Sequence, residues 1–515
     1  VAWWHNWRRL FRSSAPALPA PSARRDYEGA GTGRRWQHWT ATGSSANTEV
    51  HRSAKRLRYR SRDLVRNNAY AAAGIAALVR NIVGEGIRPQ SRTGNADLDA
   101  TVNALWRRWE PRAVGIAPIG VYGLQVQAVR SWLESGEVLI RRRPRRLTDG
   151  LPVPLQLQAI EADQLDDQKS ITLANGGRII QGVELDGTER ISAYWLFPHH
   201  PGETVTDLIR SGQLSQRVRA SQIAHLYNPE RPGQVRGIPH LAPAVRRFRD
   251  LDDYEDAEIM RKKVEACVAG FIETDEGVDE ETISGAVTDA DGNRIDTLEP
   301  GLLAYLRGGK SITFNQPHTV GGYEAFKRAE LQSIASAIGL TYELISGDLS
   351  KVNFSSIRAG IIEFRRMVRM LRARLVVPML CVPIWRWFIE SAVAAGELPA
   401  PLSGSLYDAY PVRWSQPRFE EVDRQKDATA DRTELENGSL TFQDLCARRG
   451  EDWLDVLEEH AIVKAEAERL GIEIPGIPFY GASSTEDEEA EPEPEEAEPE
   501  EVEPEPETTD EEEAA

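Results

Sequence analysis

The 515-residue sequence has little cysteine. Cys267, Cys381 and Cys446 lie far apart, with no CxxC and no Cys/His ligand spacing. That excludes a disulfide framework and a zinc module, fits a reducing compartment and leaves isolated buried thiols as the plain reading. Long apolar runs are also missing. The longest, residues 375–385, contains Pro378 and Pro383 and runs into Arg386 and Glu390, too short and too broken for a membrane span. A buried helix or helix pair is expected there. Residues 1–12 mix Trp3, Trp4 and Trp7 with arginines and lack an apolar core, so no secretory signal is expected.

Catalytic signatures are equally scarce. Gly308-Gly309-Lys310-Ser311 resembles the end of a phosphate-binding loop, but Ala304 stands where the leading glycine belongs, and residues 312–317 read as extended instead of helical. Gly29, Gly31 and Gly33 follow no strand and read as linker. His199 and His200 are adjacent and point in different directions, so a loop position is expected rather than a metal site. The acids Asp250, Asp252, Asp253, Glu255, Asp256 and Glu258 crowd one helical segment. Two-metal sites gather carboxylates from separate elements, so this row reads as a solvated or channel-facing surface. With no HExxH, DxDxDG or GxSxG, no enzyme, metal or cofactor is expected.

What is present is a strong division of charge. The net charge of −18 comes from residues 486–513, which hold 18 acids and no base; the remaining 62 acids equal the 62 Lys and Arg. Residues 1–66 carry 14 bases and 4 acids. Blocks of this kind bind partners or stay solvated. Residues 1–52, rich in Ala, Pro, Ser, Gly and Arg, read as a disordered arm with order beginning near Ser53, and the Glu/Pro tail buries too little apolar surface to fold.

Between them the pattern predicts an α+β protein. Helices are expected over 61–84, 97–109, 123–135, 239–269 and 323–338, and again within 421–471. Short β-branched runs at 137–143, 154–160, 179–185, 191–197 and 223–227 predict strands, with a hairpin around 184–187. A small β insertion is expected over 270–322, with turns at Asp291-Gly292 and Gly308-Gly309. The most informative segment is 344–375. A polar loop with Asp348, Lys351, Asn353 and Ser355 leads into a long helix whose Ile357, Ile361, Phe364, Val368, Leu371 and Leu375 form one apolar stripe. Arg365, Arg369 and Arg372 line another face.

Taken in order, five segments resemble the lambda-type portal proteins of tailed bacteriophages. They are SRDLVRNNAYAAAGIAALVRNIVGEG at 61–86, EADQLD at 161–166, RGIPHLAPA at 236–244, GDLSKVNFSSIRAGIIE at 347–363, and 435–453, where Asn437-Gly438 leads to Arg449-Gly450-Glu451-Asp452. The resemblance covers about residues 55–475. It implies a portal fold: wing (53–238), stem helices (239–268 and 323–345), β-containing clip (269–322), tunnel loop (346–356), long helix and wing (357–421), and helical crown (422–475). It also implies a ring, typically of twelve copies, at one capsid vertex of the virion, assembled in the host cytoplasm. Double-stranded DNA would pass through it. Expected partners are the terminase large subunit, a head–tail adaptor and the major capsid or scaffold protein. Lys351 would circle the hole with positive charge, Asp252, Asp253 and Asp256 would face the channel, and Arg365, Arg369 and Arg372 would serve the wing helix or the contact between subunits. The alternatives are a nucleic-acid enzyme such as a nuclease or terminase component, and a scaffold or adaptor of host origin.

Overall fold

The computed structural model describes residues 30, 34–39, 41–203, 214–266, 270–274, 303–307, 311–314, 322–350, 354–419, 424–449, 451 and 453–472. The chain divides into two compact units, 1–453 and 454–515. In chain order the first holds α1 (Ala46–Asn67), α2 (Ala69–Val83), β1 (Arg88–Ser91), α3 (Ala96–Trp109), α4 (Gly120–Ser135), β2 (Glu137–Pro144) and β3 (Leu155–Glu161). The short strands β4 (Ile171–Thr172), β5 (Arg178–Ile180), β6 (Val183–Leu185), β7 (Ile191–Leu196) and β8 (Gln216–Arg219) follow, then β9 (Ile223–Tyr227). Next come α5 (Val245–Ala266), β10 (Gly270–Thr274), β11 (Leu303–Arg307), β12 (Ser311–Phe314), α6 (Tyr323–Ile338), α7 (Tyr342–Ser346) and α8 (Phe354–Leu371). After a π-helical stretch, Arg372–Cys381, the chain continues through α9 (Val382–Ala394), α10 (Leu406–Ala409), β13 (Val412–Ser415), α11 (Arg424–Glu436) and α12 (Phe442–Arg449). The helix α13 (Trp453–Leu470) belongs almost wholly to the second unit.

The mixed α+β character is as expected, and the strands fall close to the predicted runs. Three helix boundaries differ. Helix α1 starts at Ala46, before residue 53, because Ser45 caps it by accepting from the Thr48 amide, and Ala46 and Val50 are buried. The single helix expected over 61–84 is two. Asn68 adopts an extended backbone, and its side chain accepts from the Ala71 amide, so it ends α1 and caps α2. Asparagine's side chain competes with the backbone in just this way, which makes it a weak interior residue and a strong cap. Similarly, the helix expected from 239 begins at Val245, after a run of turns.

Two cores flank the sheet β3-β2-β9. Side chains alternate across a strand. Val138 and Ile140 of β2 enter the main core with α2, α3, α4 and α9, while Leu139 enters a second core with Val183, Leu185, Tyr194 and Leu196. The five-stranded sheet β4-β5-β6-β7-β8 supplies most of that second core, and the predicted hairpin is its β6–β7 turn. Trp106, Trp109, Trp385 and Phe388 form an aromatic cluster in the main core, with ring centroids 4.9–5.7 Å apart. Each such buried ring contributes roughly 1.5–3 kcal/mol from area alone.

Two close approaches fix how the strands enter. Gly136 ends α4 in the left-handed region (φ 92°), so β2 starts at the next residue. A Cβ on Gly237 would lie 1.9 Å from the Gly136 carbonyl oxygen, and this contact brings the Gly237 amide within 3.1 Å of Glu137.

The 375–385 run is buried as expected, but it begins as a π-helix: Val382 N–H reaches back to the Val377 carbonyl. The wider turn takes in Pro378, which has no N–H to offer an ordinary helical ladder. No described helix is long and apolar enough to cross a membrane.

Helices α5 and α6 run together beside the insertion. Tyr254 packs on Tyr323 and Phe326 at centroid distances of 6.0 and 4.5 Å. Glu255 pairs with Lys327 at 2.6 Å, and Arg247 pairs with Glu330 at 2.8 Å. Within the insertion β10 is central, parallel to β11 and antiparallel to β12. Strand β12 follows Lys310, so the segment after Ser311 is a strand and not the helix a phosphate-binding loop needs. The turns expected at Asp291-Gly292 and Gly308-Gly309 lie outside the described residues.

Candidate functional site

The residues singled out from sequence fall into three places. In the first, α7 ends at Gly347 in the left-handed region (φ 70°), and the loop begins at Asp348. The Asp348 carboxylate accepts from the Ser350 hydroxyl (2.6 Å) and amide (2.9 Å) and from Tyr342 (3.2 Å). These hydrogen bonds, the Ser350 hydroxyl first, hold its pKa below the usual aspartate range. Asp348 therefore closes the loop on itself. Lys351 and Asn353 lie outside the described residues, and Ser355 falls in the first turn of α8.

Asp252, Asp253 and Asp256 of α5 differ in their surroundings. Asp252 is half-buried and accepts from the Asn68 side chain at 2.6 Å, which ties α5 to the cap of α2. Burial raises its pKa. Of the three acids expected to face the channel, Asp252 is the one whose carboxylate is already engaged within its own chain. Asp253 and Asp256 are exposed, and Asp253 pairs with Arg249 at 2.7 Å. Arg246 pairs with Asp250 one turn earlier, at 3.5 Å. The acidic row is thus partly neutralised by arginines at i−4.

The third place is the arginine line of α8. Arg365, Arg369 and Arg372 stand at 5.3, 5.8 and 4.9 Å from the ring centroid of Phe419. Nothing in the sequence pattern pointed to Phe419, which lies 47 residues beyond Arg372. Arg372 differs from the other two. It is 2% exposed and donates to the carbonyls of Ile82 (2.8 Å), Asn81 (2.6 Å) and Pro417 (2.9 Å). Asn81 and Ile82 are in the last turn of α2, where carbonyls lack helical partners and a cation is favoured. Burial, then repulsion from Arg369, brings the Arg372 pKa down to about 10, so it stays charged at neutral pH. Its contacts within the chain are those of a helix-capping anchor.

Arg372→Met should therefore cost about 3 kcal/mol, because it leaves three carbonyls without their donor. Arg369→Ser, at an exposed position, should cost about 0.5 kcal/mol or less. Urea unfolding midpoints of the two variants would check the contrast, and equal shifts would refute the anchoring role.

One group of possible ligands gathers elsewhere. Glu161, Asp163 and His200 have donor atoms within 4.8 Å of one another. Arg62 already lies 2.9 Å from Glu161 and 2.7 Å from Asp163, and Arg58 lies 3.2 Å from Asp163. Two guanidiniums answer these carboxylates, so the group is an ion-pair cluster.

Residues 32–372 match the family described as "Phage portal protein, lambda family". The chain is 27% identical over 484 residues to a protein named "Probable portal protein" of Halomonas phage phiHAP-1, covering 90% of this chain and 91% of that one. It is 21% identical over 486 residues to "Portal protein B" of Escherichia phage lambda, covering 87% and 90%. A solved structure titled "Virion of native gene transfer agent (GTA) particle" aligns with 80% of this chain and 95% of its own at 13% identity and a TM-score of 0.40. The family match spans well over half the chain, from residue 32 through α5, α6 and α8 to Arg372: the chain belongs to the lambda family of phage portal proteins, structural components of virions and not enzymes.

Proposed function

We propose that copies of this chain close into a ring of twelve at one capsid vertex, around a channel that admits double-stranded DNA during packaging and releases it at ejection. In this reading 53–238 with 357–421 form the wing, α5 and α6 the stem, 269–322 the clip, 346–356 the tunnel loop and 422–475 the crown. The clip would meet the terminase large subunit and later the head–tail adaptor, and the wing the major capsid or scaffold protein. Family membership carries the proposal. The pairing of α5 with α6 on either side of a three-stranded insertion supports it, since it makes a two-helix stalk with a small tip. The stalk also exposes Ile259, Met260 and Phe326, apolar surface suited to a neighbouring copy. A single negative-stain image of the purified chain tests the ring: an axial hole is expected, and a compact monomer would overturn it.

Within such a ring Lys351 becomes a circle of positive charge at the narrowest level. Lysine is a flexible point charge that suits transient contact with passing phosphates. Lys351→Ala should slow DNA packaging about twofold or more without changing the ring. Unchanged packaging kinetics would remove Lys351 from DNA contact.

A further inference from the structure

The arginine line of α8 faces more than Phe419. Two adjoining hollows of about 840 and 750 Å³ share Arg365, Arg372, Phe419 and Arg449, so they form one continuous trough. The first is lined by six arginines against Glu85 and Glu451, and the second by six against Asp431 and Asp444. Its cations come from elements far apart in sequence: Arg80 at the end of α2, Arg365 and Arg369 on α8, and Arg449 at the end of α12. Like charges repel unless an anion joins them. Several of these arginines have partial answers: Arg413 pairs with Asp444 at 2.7 Å and Arg449 approaches Asp431 at 3.9 Å. Two do not. Among the described residues the exposed Arg80 has no side-chain partner, and the exposed Arg369 meets only the face of Phe419. Behind them Arg372 is held by three carbonyls and the face of Phe419, and no carboxylate among the described residues pairs with it, so its charge adds to the field.

We propose that this trough binds the phosphodiester backbone of a nucleic acid. The guanidinium fork accepts phosphate oxygens two at a time. Arg365 and Arg369 lie one helical turn apart, about 5–6 Å between side-chain roots, which sets cations in a row along the trough. A row of this kind suits a polymer with one charge on every unit along a single edge. Both hollows are open to solvent and lined by charged and apolar side chains together. Aromatic and guanidinium faces side by side also give a strand's bases a place to stack. The proposal does not rest on the ring: it concerns one chain's own surface.

The test compares the full chain with the Arg80→Ser/Arg369→Ser double variant. It leaves Arg372 in place and so spares the fold. Fluorescence anisotropy with a labelled 20-base-pair duplex is measured across about 50–200 mM salt, with polyglutamate as a second probe. The basic segment 1–66 is present in both proteins and cancels in the comparison. The variant should bind duplex about tenfold more weakly at low salt, and the slope of log affinity against log salt should fall by about 2, one for each phosphate no longer neutralised. Equal duplex affinity and slope would overturn the proposal. So would a trough-dependent affinity greater for polyglutamate than for duplex, which would make the ligand an acidic peptide. Particle images of the same samples report on the ring separately.

Discussion

Replacing Glu137 with alanine should destabilise the chain by about 3–5 kcal/mol, the range for leaving buried charges without their partner. Glu137 opens β2 and is fully buried. Its carboxylate accepts from Arg236 (2.6 Å), Arg58 (3.1 Å), His225 (3.0 Å) and the Gly237 amide (3.1 Å). Arg58 and Arg236 are themselves 4% and 2% exposed, so alanine would leave the buried Arg236 without a carboxylate among the described residues and Arg58 with Asp163 as its remaining one. Glu137→Gln keeps the shape but not the charge, and should cost about half as much. The readouts are the urea midpoint and the amide exchange of β2 and β9, which pair across this site. A midpoint shift worth less than about 1 kcal/mol for the alanine variant would reject the hub.

The same carboxylate gives a pH dependence. Burial alone would raise its pKa, but Arg236 and His225 outweigh burial and hold it well below the ordinary value of 4.5. The folded state therefore prefers the ionised form more strongly than the unfolded state does. Its stabilisation is fully present above about pH 4.5 and is lost as the pH falls through the lower, folded-state value. Stability of the Glu137→Gln variant should vary less with pH across that acid window than stability of the parent.

Gly237→Ala should cost about 3 kcal/mol or more and reduce the yield of folded protein. The new Cβ would sit 1.9 Å from the Gly136 oxygen and 2.7 Å from its carbonyl carbon. Both obstacles are backbone, so no side-chain rotation relieves them. The chain would have to separate at the α4–β2 turn, and the Gly237 amide would leave Glu137. Gly233→Ala is the control. It has a positive φ of 77° but meets nothing within 4 Å, so only the backbone penalty of about 1 kcal/mol applies. If the two variants unfolded at the same urea concentration, the close approach would carry no special cost.

Local pattern gave most elements because most are amphipathic and locally capped. The stripe from Ile361 through Phe364, Val368 and Leu371 to Leu375 is the face α8 and its π-helical extension bury, and 323–338 is a helix to the residue. Asn68 shows a signal present but unread: Asn-Asn before an alanine run is a cap as well as a helix interior. Long-range partners were not legible. Strand β1 pairs with β13 from Arg88–Ser415 to Ser91–Val412; the first run has no alternation, and the second alternates over only four residues, too briefly to announce a partner more than 300 residues away. The same limit hid Glu137, whose partners Arg58, His225 and Arg236 come from three separate stretches of chain, and Phe419, a loop residue that sits against arginines far from it in sequence. It also explains Asp252. Periodicity puts it on a row of acids, but only the packing of α5 against the α1–α2 junction turns it toward Asn68.

The β1–β13 ladder has a consequence for the birth of the protein. The main core draws on Val65 and Ile75 near one end and on Phe388, Leu398 and Tyr410 near the other. A nascent chain leaving the ribosome at about 5–20 residues per second would hold α2, α3 and α4 with their apolar faces uncovered for tens of seconds before Tyr410 is made. The second core asks for no such wait, since its residues run from Leu139 to Val235 and are complete once that stretch has emerged. The order of synthesis therefore favours the small sheet domain as the first folded part. It leaves the amino-terminal helices dependent on chaperones or on speed, and a translational pause before residue 410 would be costlier than one after it.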